Sequence, residues 1–263
     1  MTRTLTQWGQ KAKQWALDAG RLSVERLRSP FAIEYKTSPS DLVTQVDQEV
    51  ERYLVDTILR TYPDHGILGE EGTFTKDIAE FDTLWIIDPI DGTTNFVHQQ
   101  QNFVISMGVY HKGAVTAGVV YDPIRDELFY AEKGGGAYLN GVPLHLRGEK
   151  ALQESLLASS TFWNETAMRT GMDKKIQQLA RYSRGMRIFG CAALELAYVA
   201  AGRIDGYMSV TLNPWDFAAG NLLVEEAGGK VTRSNGEKID PLERGSILAS
   251  HSSIHQEFID FIN

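Results

Sequence analysis

The stretch Trp85-Ile86-Ile87-Asp88-Pro89-Ile90-Asp91-Gly92-Thr93-Thr94-Asn95-Phe96 constrains this chain more than any other. Trp85, Ile86 and Ile87 are β-formers and read as a buried strand. That strand delivers Asp88 to its C-terminal end, where α/β proteins place their chemistry. Pro89 has no backbone N–H and is expected to stop sheet pairing. Asp88 and Asp91, three apart in a tight turn, can face one point, and the Ile90 carbonyl between them can add a third hard oxygen. Hard oxygens select Mg²⁺, Mn²⁺ or Ca²⁺. Gly92 lets the backbone approach a ligand, and Thr93-Thr94-Asn95 is expected to open a helix whose N–H groups point at an anion. The local expectation is a divalent cation beside a phosphate.

The rest of the chain narrows the class. With 263 residues there is enough chain for one large or two modest domains with a substantial core. A formal net charge of -8 argues against a nucleic-acid backbone as the main partner. A single cysteine, Cys191, excludes an internal disulfide and fits a reducing compartment. The first residues carry no apolar run of signal length, and no stretch reaches the ~18 to 20 apolar residues of a membrane span. The expectation is a cytoplasmic protein with no membrane partner.

Trp8, Ala12, Trp15, Ala16, Ala19, Leu22 and Leu27 recur at helical spacing and make residues 5–28 an amphipathic helix. Leu42, Val43, Val46, Val50, Leu54 and Ile58 mark a second helix ending before Tyr62-Pro63, with Thr44 to Asp47 as its capping box. Segments 103–110, 114–122 and 127–133 read as an antiparallel meander, and Asn140-Gly141 as a turn. From about residue 150 strands and helices alternate, so 1–145 and 146–263 are expected to be α+β and α/β halves of one compact domain.

Three further places bring acidic side chains to helix starts or turns: Asp47, Glu70-Glu71 and Asp216. Taken singly, each has an ordinary structural explanation. Asp47 closes a capping box, Glu70-Glu71 could be a solvated loop, and Asp216 could be an N-cap stabilising by ~1 kcal/mol. In order and spacing, however, they join the Trp85–Phe96 stretch, Gly190-Cys191-Ala192-Ala193, and Trp215-Asp216 with its helix to Glu226-Ala227-Gly228-Gly229 in one pattern. That pattern covers nearly the whole chain, which resembles the inositol monophosphatase family of Mg²⁺-dependent, Li⁺-sensitive phosphatases.

The resemblance implies an α+β fold, a layered α-β-α-β-α sandwich, a homodimer, and two or three Mg²⁺ ions. Glu70, Asp88 and the Ile90 carbonyl would hold the first ion, and Asp88, Asp91 and Asp216 the second. Glu70 would also help hold a weaker third ion through water. Thr93, paired with Asp47, would orient or deprotonate the attacking water, and Gly92, Thr93 and Thr94 would cradle the phosphate. Gly190, Ala192, Ser209 and Asp216 are the candidates for contacts to the rest of a small phosphorylated metabolite. Four carboxylates within ~5 Å would repel by roughly 3 kcal/mol per pair at an effective dielectric near 20, which two divalent cations would cancel.

Substrate choice is where this chain departs from the inositol-specific pattern. A glutamate seven residues before the last metal aspartate is replaced by Ser209, which cannot offer two anionic acceptors. The expected substrate is myo-inositol 1-phosphate or a related sugar or polyol phosphate. NADP⁺ or fructose 1,6-bisphosphate is the alternative, with Arg181, Arg184 and Arg187 as candidates for a second phosphate. A rival of another class is a regulatory scaffold that keeps the fold and binds protein or RNA. Lys36 is a secondary candidate at the site mouth. His251 and His255 are assigned to an exposed C-terminal helix, and Cys191 to a small buried position at a helix start.

Overall fold

The computed structural model describes residues 6–35, 42–72, 77–159 and 161–263. Lys36 lies outside the described residues. The elements run α1 (Gln7–Arg26), β1 (Ile33–Tyr35), β2 (Leu42–Thr44), α2 (Gln45–Thr61), β3 (Gly66–Gly69), β4 (Thr83–Asp91), α3 (Thr93–His98) and β5 (Val104–His111). They continue through β6 (Ala114–Asp122), β7 (Glu127–Glu132), β8 (Gly136–Leu139), β9 (Val142–Leu144), β10 (Leu156–Ala158), α4 (Glu165–Thr170) and α5 (Met172–Tyr182). The chain ends with β11 (Gly185–Arg187), α6 (Ala192–Ala200), β12 (Gly206–Leu212), α7 (Pro214–Glu226), β13 (Lys230–Thr232), β14 (Gly245–Ser250) and α8 (His255–Ile262).

Two sheets organise the molecule: seven strands in the order β3-β4-β5-β6-β7-β8-β9, and five in the order β11-β10-β12-β14-β13. The larger is buried on both faces, and its pleat shows how. Ile105 and Val119 face Trp15, Ala16, Val50 and Leu54 of α1 and α2, whereas their neighbours Val104 and Val120 face Leu194, Leu196 and Leu223 of α6 and α7. Period-2 alternation thus splits each strand between two cores, so its sequence is apolar almost throughout. The same middle core takes Tyr207, Ile247 and Ala249 from the five-stranded sheet. On that sheet's outer face Leu157, Met208 and Leu248 pack with Ile176 and Leu179 of α5 and Phe258 of α8. The layers are therefore α1/α2, seven-stranded sheet, α6/α7, five-stranded sheet, α5/α8, the α-β-α-β-α sandwich implied by the resemblance.

Helix α7 lies unusually near the large sheet because Gly108 and Gly118, paired across β5 and β6, present no side chain to it. A Cβ on Gly118 would stand 2.8 Å from the Ala219 carbonyl oxygen, and one on Gly108 3.2 Å from the Ala218 Cβ. This approach, together with a 3.2 Å hydrogen bond from Ser106 Oγ to the Trp215 carbonyl, brings the start of α7 to the end of β4.

The structure corrects three local expectations. Leu42 and Val43 belong to β2, paired antiparallel with β1, and the helix begins only at Gln45. Thr44 is its N-cap, where extended backbone is required, so the apolar residues before it continue a strand. Pro89 does not end pairing, because β4 resumes at Asp91, opposite Val104, after a register shift from Asp88 opposite Ser106. Three steps on β4 match two on β5, a bulge that accommodates the missing N–H. His251 and His255 are buried, not exposed, and His251 precedes α8. His255 bonds Ser250 Oγ at 2.8 Å and Thr232 Oγ1 at 3.0 Å, and burial pushes its pKa down to about 4, a neutral imidazole tying β13 and β14 to α8.

Candidate active site

The bulge in β4 is the centre of the site. Asp88 Oδ1 accepts the Ile90 N–H at 3.0 Å, which fixes the turn and buries the carboxyl. Asp91 closes the strand, and Gly92 follows with φ 92°, a left-handed conformation that suits glycine. α3 then opens at Thr93. The N–H groups of its first turn have no carbonyl four residues back within the helix.

Asp47 reaches this centre from α2. Its Oδ2 accepts the Thr44 N–H at 2.9 Å and the Thr44 hydroxyl, and its Oδ1 accepts the Thr93 hydroxyl at 3.0 Å. One helical turn on, buried Glu51 accepts the Glu71 N–H at 2.8 Å, which holds the chain segment carrying Glu70 against α2. A Cβ on Gly69 would stand 2.6 Å from the same Glu51 oxygen. Asp216 is not itself the N-cap of α7. It sits in the first turn and accepts the N–H of Asn213, the N-cap residue, at 2.8 Å. From α6, the Ala193 N–H bonds Asp91 Oδ2 at 2.5 Å, and Cys191 Sγ donates to the Asp91 carbonyl at 3.2 Å. Cys191 is buried directly before α6, as expected.

Electrostatics single this cluster out. Burial pushes Asp88 well above its ordinary value, and Glu70, Asp91 and Asp216 add to the rise. Asp91 is pushed up to about 6 by burial, with the Ala193 N–H pulling the other way. Burial and then Asp91 push Asp216 well up. Burial also raises Asp47, against the hydrogen bonds from Thr44 and Thr93. Among the described residues no Lys, Arg or His forms an ion pair with Asp88, Asp91 or Asp216. Nor is any group of three or more His, Cys, Asp or Glu among them drawn into a ready-made ion cage. Like charges repel, and each aspartate turns one oxygen to a backbone donor. Clustered carboxylate oxygens without an ion-pair partner among the described residues are a donor set suited to hard divalent ions.

A cavity of about 590 Å³ opens beside the cluster, lined by Asp91, Thr94, Gly190, Ala192, Ser209 and Asp216, all expected from the sequence. The lining also includes Asn95, Thr161, Asn164, Cys191, Tyr207, Thr211 and Leu212. Arg181, Arg184 and Arg187 are not part of that lining. Asn95 shapes the wall, because its Nδ2 donates to the Phe189 carbonyl at 2.7 Å and the Asn102 carbonyl at 2.9 Å. From the other side, buried Glu195 accepts the Phe189 N–H at 2.8 Å, and its burial lifts its pKa to about 8. Sequence reasoning missed Glu51, Asn95 and Glu195. For Glu51 the signal was present in its position four residues after Asp47, on the same helix face.

A layered sandwich with aspartates clustered at a strand end, beside a helix start and a cavity lined by hydroxyl, amide and carboxylate groups, is the setting of an enzyme site built around carboxylates. The comparisons with known proteins name it. A family model described as the inositol monophosphatase family matches residues 5–262, and the chain belongs to that family of phosphatases. It is 43% identical over 259 residues to the inositol-1-monophosphatase of Bacillus subtilis (strain 168), covering 97% of each chain. It is 42% identical over 222 residues to the Nus factor SuhB of Escherichia coli (strain K12), covering 84% of this chain and 83% of that one. The solved structure of a Thermotoga maritima IMPase superposes with a TM-score of 0.86 at 37% identity, covering 97% of this chain and 96% of that one.

Proposed function

We propose that this protein is a Mg²⁺-dependent phosphomonoesterase acting on myo-inositol 1-phosphate or a related sugar or polyol phosphate. The observation that carries the reading is the cluster of buried Asp88 with half-buried Asp91 and Asp216, none of them in an ion pair among the described residues, with Asp91 and Asp216 lining the cavity. Glu70, Asp88 and the Ile90 carbonyl would hold one ion, and Asp88, Asp91 and Asp216 another. When bound, the ions neutralise charge on the phosphate and on the leaving oxygen and make water more acidic.

The chain's own groups supply position and proton transfer. Thr93 donates its hydroxyl proton to Asp47, so its oxygen lone pairs remain to accept a proton from the water that attacks phosphorus. The water oxygen bonds to phosphorus as its proton passes to Thr93 Oγ1 and the Thr93 proton passes to Asp47 Oδ1, the P–O ester bond opposite breaks, and the leaving oxygen takes a proton from solvent water. Gly92, Thr93 and Thr94 turn the start of α3 to the phosphate. Ser209, Thr161, Asn164 and Thr211 form a neutral wall of hydroxyl and amide groups suited to a polyol. Assembly as a homodimer in the cytoplasm belongs to the same reading, supported by the family resemblance and a lone buried thiol.

The test is phosphate release from inositol 1-phosphate with and without Mg²⁺, with Asp91→Asn as control. Release that needs Mg²⁺ and is lost in the variant is expected. Release that persists in the variant would sink the metal assignment. A regulatory reading is favoured by the relatives named Nus factor SuhB. It would gain if Asp91→Asn removed turnover and left the cellular role intact.

A further inference from the structure

Beside the cavity lies a cation that no sequence motif marked. Arg244 lies just before β14, and its Nε donates to Thr211 Oγ1 at 3.1 Å, a residue of the cavity wall. It is near enough to Asp216 to act on that carboxyl. Among the described residues this is its one hydrogen bond, and it forms no ion pair in a chain of net charge -8. A guanidinium has five N–H donors in a planar fork, so four remain for a ligand.

The backbone beneath Arg244 is braced. Arg233, from the chain after β13, donates to the Glu243 carbonyl at 2.9 Å and to the Ser246 carbonyl at 3.1 Å, one on each side of it. One arginine thus fixes the loop, and Thr211 fixes the other arginine's side chain. A cation positioned in this way, with unused donors and no ion-pair partner among the described residues, is organised for an external anion.

Resting on the phosphomonoesterase reading, we propose that Arg244 is a specificity-determining residue that receives a second anionic group, a phosphate or carboxylate, on the leaving portion of the substrate. The scissile phosphate belongs at the start of α3 beside Asp91. The leaving portion would extend along Ser209 and Thr211 toward the rim, where Arg244 waits. Ser209 contributes by omission, because a carboxylate there would repel the second anion and compete for the guanidinium.

The experiment compares fructose 1,6-bisphosphate with fructose 1-phosphate, which share a skeleton and differ by one phosphate. The readouts are kcat/KM with Mg²⁺ and, in parallel, Kd by calorimetry on the metal-free protein. The ratio of the two compounds is expected to favour the bisphosphate in wild type. It should fall about tenfold in Arg244→Ala, since an exposed charge-assisted pair lies between a buried one and a screened one. Arg244→Lys should retain part of the preference, and Thr211→Ala, which frees the guanidinium without removing its charge, should lose part. Raising the salt should erode the wild-type preference and leave the Ala variant insensitive. An equal change for both compounds, or a ratio within twofold of wild type in Arg244→Ala, would overturn the proposal. Absence of turnover would count against the phosphatase reading alone, because the Kd ratio still decides the role of Arg244.

Discussion

Replacing Asp91 by Asn should inactivate the enzyme and stabilise the metal-free protein, and the size of the second effect can be worked out. Burial lifts the Asp91 carboxyl from its ordinary 3.8 to about 6 in the folded chain. At 1.36 kcal/mol per factor of ten, holding it ionised at neutral pH costs the fold about 3 kcal/mol. Below pH 3.8 the group is protonated in both states and the cost is absent. Between 3.8 and 6 the folded state holds more protons than the unfolded state, so stability falls as pH rises, and above 6 the full cost is present. Asparagine keeps an acceptor for the Ala193 N–H and carries no charge. In EDTA at pH 7.5 the variant should therefore melt about 6 to 12 °C above wild type. The difference should shrink toward zero at pH 4. Added Mg²⁺ should reverse the order, raising wild type more than the variant, because ligands that bind only the folded state stabilise it. Circular dichroism melts of both proteins at several pH values supply the measurement. An unchanged melting temperature in EDTA, or a gain that does not vary with pH, would show that the aspartates do not strain the fold.

Thr93→Ala removes the hydroxyl bonded to Asp47 and should lower kcat by about 100-fold with little change in KM, since the group acts mainly in the transition state. Steady-state kinetics decide this, and an unchanged kcat would exclude Thr93 from proton transfer. Glu51→Ala leaves the Glu71 N–H without its acceptor and should raise the Mg²⁺ concentration needed for half-maximal activity several-fold, while Glu51→Gln, which keeps an acceptor, should stay near wild type. Equal effects of the two would argue that bulk, not the hydrogen bond, is what matters. Gly220→Ala puts a Cβ 2.5 Å from Leu196 Cβ and should cost about 1 to 3 kcal/mol by forcing α6 from α7, measurable by urea unfolding.

Local chemistry was legible where the signal is carried by neighbours in the chain. The capping box at Thr44 and Asp47 holds because its two hydrogen bonds join residues three apart. Helix α1, the meander of β5 to β7 and the start of α3 at Thr93 follow from apolar spacing and from Gly92. The sequence also pointed to the residues that converge at the cavity, Asp91, Thr94, Gly190, Ala192, Ser209 and Asp216, through the order of their motifs. It misjudged Pro89, because whether a strand ends or bulges depends on the partner strand that takes up the register.

What only the tertiary structure decided is everything that depends on a long-range approach. Asp88 and Asp216 become mutual neighbours because Gly108 and Gly118 admit α7 to the sheet, and no local pattern states which helix a glycine will admit. The histidines near the C-terminus are buried because β13, β14 and α8 close around them. Arg244 reaches the cavity because β14 pairs antiparallel with β12, which carries Thr211 to its side. Residue type and spacing along the chain determine which groups are offered. Burial, which raises their pKa values and selects their partners, is a property of the packed layers.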